Sequence, residues 1–183
     1  EGDRLFAGAT YSLRPTDPIE HYVTCLDART GAVRWSTYIS SGFLEINLFN
    51  NPLREPLGSS ISKSGDTVVY CTNMGVVAGL DASNGWPRWI RKYRQYPIEP
   101  TRDPYNPQRL GFGWANNPPL IDDGVVYVTP MDSPYLYAID LATGRSGGSR
   151  RSTRTSASGP RARTPIAGSS ASAAGRSFCR GTI

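Results

Sequence analysis

The sequence is poor in the residues that carry most catalytic and metal chemistry. Of 183 residues, one is histidine (His21) and three are cysteine (Cys25, Cys71 and Cys179), with no two cysteines in a Cys-x-x-Cys pair. A His/Cys metal cluster is excluded by that count. Lysine is confined to Lys63 and Lys92. No apolar run approaches the ~20 residues of a membrane-crossing helix, and no stretch keeps a helical period. Gly-rich phosphate loops, a nucleophilic-serine elbow and zinc motifs are all missing. No secretory leader opens the chain. It begins with Glu1 and enters a strand-like stretch almost at once, so its true N-terminus is expected upstream, and the missing leader decides nothing about compartment.

What the chain has in plenty is turn and strand material: 19 Gly, 15 Pro and 10 Tyr. Short β-prone runs separated by turn residues predict an all-β chain. One phrase recurs. It reads Cys25-Leu26-Asp27-Ala28-Arg29-Thr30-Gly31-Ala32-Val33-Arg34-Trp35, then Gly79-Leu80-Asp81-Ala82-Ser83-Asn84-Gly85-Trp86-Pro87-Arg88-Trp89. A third copy begins Ala138-Ile139-Asp140-Leu141-Ala142-Thr143-Gly144 and has Gly148 where the Trp should stand. Asp and Thr side chains can bond nearby backbone N–H groups and Gly accepts positive φ, so the phrase predicts a hairpin with Trp on the return strand. Val33, Trp35 and Thr37 are expected on one face of that strand at period two.

Each phrase is preceded by a matching strand: residues 2–9, 66–72 and 123–129, with Phe6, Tyr70 and Tyr127 at one position. The last two are preceded by short leaders, at 56–62 and 117–122. Each unit thus predicts four antiparallel strands, the content of one propeller blade, with the first leader missing. The aspartates lie 54 and 59 residues apart, longer than compact propeller repeats of ~40–50. The excess lies in two connections, Ser41–Glu55 and Arg94–Asn116, where binding usually resides on such scaffolds. A third loop, Thr10–Glu20, ends at His21, which is expected to be a solvated surface residue. Cys25 and Cys71 are expected to be small buried thiols, with a disulfide between them left open.

Charge is uneven. Residues 145–183 hold eight Arg and no Lys, Asp or Glu, which leaves −3 of the net +5 on residues 1–144. Nucleic acid is therefore not expected as a partner of the repeat-bearing part. The Ser/Arg/Ala/Gly-rich texture sets two regions, 1–144 with the blades and 145–183 as a low-complexity tail. That tail reads either as a disordered basic segment or as the product of a reading-frame shift at about Gly144–Gly148.

The phrase resembles the repeat of pyrroloquinoline quinone (PQQ)-type β-propellers, small-x-Asp-x-x-Thr-Gly-x-x-x-Trp. Cys25, Asp27, Thr30, Gly31 and Trp35 match it, as do Gly79, Asp81, Asn84, Gly85 and Trp89, and in part Ala138, Asp140, Thr143 and Gly144. The resemblance implies a bacterial quinoprotein-like partial propeller of about three blades, a fragment of a larger ring. It also implies that each Trp docks on a neighbouring blade's turn. The family includes quinone-dependent alcohol and sugar dehydrogenases and non-enzymatic members. The dehydrogenase branch is marked by adjacent cysteines, which this chain lacks. Glu20, Glu45, Glu55, Glu99 and Asp103 lie in or near loops at no defining spacing. No catalytic, cofactor-binding or metal residue is therefore assigned. The expected role is a non-catalytic scaffold in an exported or periplasmic protein, contacting a protein partner or further blades. The alternative is part of a quinoprotein dehydrogenase using PQQ with Ca²⁺.

Overall fold

A computed structural model describes residues 2–14, 17–43, 57–96 and 116–151. The first sheet is formed by β1 (Arg4–Tyr11), β2 (Ile19–Asp27) and β3 (Val33–Gly42). The second comprises β4 (Ser62–Ser64), β5 (Thr67–Cys71), β6 (Val76–Asp81) and β7 (Pro87–Lys92). The third comprises β8 (Leu120–Asp122), β9 (Val125–Val128), β10 (Tyr135–Asp140) and β11 (Ser146–Arg151). Every pairing is antiparallel between chain neighbours, so each sheet is a meander. The three sheets stand side by side as consecutive blades of a partial β-propeller.

Three boundaries differ from expectation. The leader expected at 56–62 forms a strand only from Ser62. The strand carrying the first phrase starts at Ile19, which takes Glu20 and His21 out of the loop and into β2. The third sheet also runs past Gly144, because Ser146–Arg151 pairs with β10 as six exposed residues. The remainder of the expected tail, 152–183, lies outside the described residues, as do 44–56 and 97–115 of the two long connections.

The burial pattern follows from the stacking. Sheet two is covered on both faces, so all five residues of β5 are buried, as a doubly covered strand requires. Val68, Tyr70, Ala78 and Leu80 pack against Val23 and Ile39 of sheet one. Val69, Cys71 and Val77 face the other way, against Val126, Val128 and Ile139 of sheet three. β2 in the first sheet alternates buried and half-buried residues instead.

The repeated phrase builds the seam between sheets. In each turn the Asp carboxylate accepts backbone N–H bonds: Asp27 from Arg29 and Thr30, Asp81 from Ser83, Asp140 from Thr143. The turn glycines Gly31, Gly85 and Gly144 have φ of +72°, +77° and +70°, where a Cβ is strained. Trp35 of sheet one lies over Gly85 of sheet two, and its indole N–H donates to the Ala82 carbonyl at 3.3 Å. Trp89 of sheet two lies over Gly144 of sheet three and donates to the Leu141 carbonyl at 2.7 Å. Two residues on, Thr37 and Arg91 donate to the carbonyls of the same glycines. The small slot of the phrase has a steric reason, since a Cβ at Gly79 would lie 2.3 Å from the Trp89 ring.

A β-bulge recurs where the small residue faces the Trp. Cys25 pairs with Trp35 and Leu26 with Val33, so Arg34 has no cross-strand partner. Arg88 is bypassed in the same way between Trp89 and Pro87. The bulge returns each guanidinium to the head of its turn, Arg34 to Asp27 at 2.7 Å and Arg88 to Asp81 at 2.6 Å. The expected single face for Val33, Trp35 and Thr37 fails at Val33, which is 63 % exposed. Bulging at Arg34 breaks the period of two there. In β11 both the Arg and the Trp positions are glycine, Gly147 and Gly148.

These contacts make a differential prediction. Trp89→Ala should lower stability by roughly 3–5 kcal/mol. Gly31→Ala should cost only the left-handed backbone strain, about 1–2 kcal/mol, since nothing lies within 4 Å of its Cβ position. Gly85→Ala carries the same strain plus a 2.5 Å collision with the Trp35 ring, so it should cost clearly more. Urea unfolding of the three variants checks the order; equal losses at Gly31 and Gly85 would refute it.

Candidate functional site

The phrase turns all lie at one end of the sheets. The other end holds the longer connections and the buried polar side chains, which makes it the candidate site. Two short links cross it, 72–75 between β5 and β6 and 129–134 between β9 and β10. Thr72 closes the first: its hydroxyl donates to the Val76 carbonyl and accepts from Met74 N–H. Asn73 takes φ +55°, a conformation that Asn tolerates better than most residues.

Asn73 is buried and ties three segments together. Its amide donates to the Leu57 carbonyl and to Asn116 Oδ1, both at 3.0 Å, and its Oδ1 accepts from Met131 N–H at 3.1 Å. Asp132 is wholly buried in the second link. Its Oδ2 accepts from Gly75 N–H at 2.8 Å and its Oδ1 from the Tyr93 hydroxyl at 2.6 Å. Burial, with the Asp132 carboxylate beside it, holds the Tyr93 phenol well above its ordinary value. Cys71 Sγ sits 3.8 Å from that phenol, and burial pushes its thiol up to about 12. Cys71 is therefore a neutral thiol at ordinary pH, and Cys25 is likewise free and buried.

His21 corrects its expected place. It is not a solvated loop residue: it is fully buried in β2, facing sheet two. Its Nδ1 lies 3.1 Å from the Tyr70 hydroxyl and its Nε2 3.1 Å from Met74 Sδ. A thioether can only accept, so the contact with Met74 puts the proton on Nε2. Nδ1 then accepts from the Tyr70 O–H. Burial pushes His21 down to about 4, so it is neutral and both nitrogens are engaged. The Tyr70 ring is enclosed by glycines, since a Cβ at Gly8 would stand 2.5 Å from it and one at Gly58 would overlap its hydroxyl.

The arrangement holds links in register; it does not pair a nucleophile with a base. Cys71 has no imidazole beside it, because His21 belongs to the other seam. Of the carboxylates read from the sequence, Glu20 accepts from the Tyr22 hydroxyl at 2.7 Å within β2. Glu45, Glu55, Glu99 and Asp103 lie outside the described residues. Sequence reasoning missed Asn73, Asp132 and Tyr93. A signal was present for the first two, which stand 59 residues apart, the same interval as Asp81 and Asp140. No group of three or more His, Cys, Asp or Glu that could hold a metal occurs among the described residues.

The family model described as outer membrane protein assembly factor BamB matches residues 19–177. No curated protein matches the chain. Among solved structures, BamB from Moraxella catarrhalis is 26% identical with a TM-score of 0.45, over 73% of this chain and 33% of that one. A europium-containing methanol dehydrogenase is 16% identical with a TM-score of 0.50, over 83% of this chain and 23% of that one. A quinohemoprotein alcohol dehydrogenase from Pseudomonas putida HK5 is 17% identical with a TM-score of 0.46, over 77% and 22%. The chain thus spans a third or less of the length of each of these structures.

Burial of His21 predicts an acid-sensitive seam. Above pH 6.5 the residue is neutral both folded and unfolded and leaves stability unchanged. As pH falls from 6.5 toward 4, the unfolded chain takes up a proton that the folded chain refuses. Stability should therefore fall across that window and level off below it, by roughly 3 kcal/mol in all. In His21→Gln that part of the pH dependence should vanish in unfolding curves taken from pH 7 to 4. Tyr93→Phe should cost about 1–3 kcal/mol at neutral pH, because it leaves a buried Asp132 oxygen short of a donor. Thermal melts check this second outcome.

Proposed function

Since the chain belongs to the PQQ-like repeat family described as outer membrane protein assembly factor BamB, we propose that it serves as a non-catalytic propeller scaffold that binds a protein partner. The observation that carries this reading is the state of the buried polar groups at the loop end. Asp132 has each oxygen bonded, His21 has each nitrogen bonded, and the Cys71 thiol is held protonated. Each group is spent on positioning a link, which is the work of a scaffold. The tryptophans dock as clips that keep the sheets in a rigid row and present the long connections together at one end.

A closed propeller needs at least ~4 blades, and three sheets are present among the described residues. We read the chain as part of a larger ring, with further blades covering the outer faces of the first and third sheets. An exported, periplasmic location accords with the family description. No helix of the described residues is long and apolar enough to cross a membrane.

The quinone alternative makes its own demand on the residues. An anionic quinone held with Ca²⁺ needs a cluster of carboxylate and carbonyl oxygens around the cation. Asp132 is the one buried carboxylate among the described residues, and each of its oxygens already accepts a hydrogen bond. With no second acidic side chain gathered beside it among the described residues, this supports the scaffold reading over the quinone one. Dye-linked oxidation of alcohols and sugars by the full-length protein, with added PQQ and Ca²⁺, tests the reading. No turnover, together with saturable capture of a specific protein, is the expected result; quinone-dependent turnover would overturn it.

A further inference from the structure

Between the outer strand of sheet two and the third sheet runs an open groove of about 400 Å³. β7 and the residues after it supply Arg91, Lys92 and Arg94. Tyr93 and Tyr96 from the same segment meet Tyr135 and Tyr137 of β10. β11 contributes two serines, and among the described residues no carboxylate lines the groove. Three cations therefore gather in a part of the chain, residues 1–144, whose net charge is −3.

The tyrosines form a continuous ladder. Tyr93 and Tyr137 have ring centroids 5.4 Å apart, Tyr135 and Tyr137 6.3 Å, and Tyr96 and Tyr135 5.7 Å. Their planes are tilted by 40° to 54°, so they make a lined surface, not a parallel-walled slot for a nucleobase. The inner hydroxyls are engaged, Tyr93 with Asp132 and Tyr137 with Ser133, which leaves ring surface toward the groove. Two cations are held in place: Arg91 donates to the Gly144 carbonyl at 3.2 Å, and Arg94 lies over the Tyr96 ring at 4.9 Å. Lys92 is exposed and has no partner among the described residues. Tyr and Arg are the residues that dominate binding energy at protein interfaces, because they bring large contact area and directed hydrogen bonds together.

We propose that this groove binds an acidic peptide segment of a partner protein, its carboxylates meeting Arg91, Lys92 and Arg94 and its apolar side chains lying on the tyrosine ladder. This rests on the scaffold reading and names the chemistry of the partner. Opposite charge steers the encounter, and the ladder discriminates by the side chains between the carboxylates.

The test uses the full chain and a dye-labelled pentapeptide alternating Glu with Phe, followed by fluorescence anisotropy. Binding should weaken about tenfold in Lys92→Glu/Arg94→Glu and severalfold in Tyr96→Ala. Arg29→Glu, in a turn at the opposite end, should leave it unchanged. If the double variant melts early, Lys92→Gln alone reads the same charge at an exposed position, with about a threefold loss. The proposal is overturned if those groove variants bind as well as the parent. It is equally overturned if a Lys/Phe pentapeptide binds as tightly, or if an oligouridylate or a polygalacturonate displaces the acidic peptide at lower concentration. Capture of a protein partner that ignores the groove variants would sink this proposal and leave the scaffold standing, whereas quinone-dependent turnover would remove the scaffold reading itself.

Discussion

The seams between the three sheets depend on an indole lying over a glycine of the next sheet. Trp35 and Trp89 cross the seam, cover Gly85 and Gly144, and donate to a turn carbonyl. The contact constrains both partners. The receiving glycine must take positive φ and must lack a Cβ, and the residue facing the Trp on its own sheet must be small. The Asp at the head of the turn is constrained as well, because it organises the loop that presents the carbonyl. A bulge then turns Arg34 or Arg88 back onto that Asp. One contact thus explains why Asp, Gly, Arg, Trp and the small residue travel together.

The same contact divides the molecule into two ends. At the turn end, geometry repeats with little variation, and the charges are exposed ion pairs of modest energetic weight. At the other end the seams differ. The first is closed by His21, Tyr70 and Met74, the second by Asn73, Cys71, Tyr93 and Asp132. Buried groups of this kind are costly unless bonded, and here they are bonded to side chains and backbone of neighbouring links. They fix the relative placement of adjacent sheets, and with it the rim from which the long connections leave. A rigid rim with variable attachments is the physical basis for reading the chain as a binding scaffold.

The architecture was legible in the sequence because a repeat states its own constraints several times. A single Asp-Gly turn says little, whereas two full copies and a partial one, each preceded by a Tyr- or Phe-bearing strand, specify a four-stranded unit. The candidate site was less legible, for a reason visible in particular residues. His21 follows a Pro-containing loop and reads as solvated. Its burial comes from the Tyr70 and Met74 side chains of another sheet, about fifty residues away in sequence. Asp132 and Tyr93 come from different sheets and carry no local pattern that announces their bond.

The sequence by itself determined the unit: strand content, turn chemistry, the small slot and the Trp that faces it, since each is a local requirement on backbone conformation or size. Only the tertiary structure decided which polar groups become buried, which titratable groups lose their reactivity, and where Arg91, Lys92 and Arg94 meet four tyrosines. Those outcomes depend on the seam between sheets, where side chains distant in sequence share one dry space. The indole over the glycine is where the two meet: its parts are written in the phrase, and its consequences appear only when the next sheet is in place.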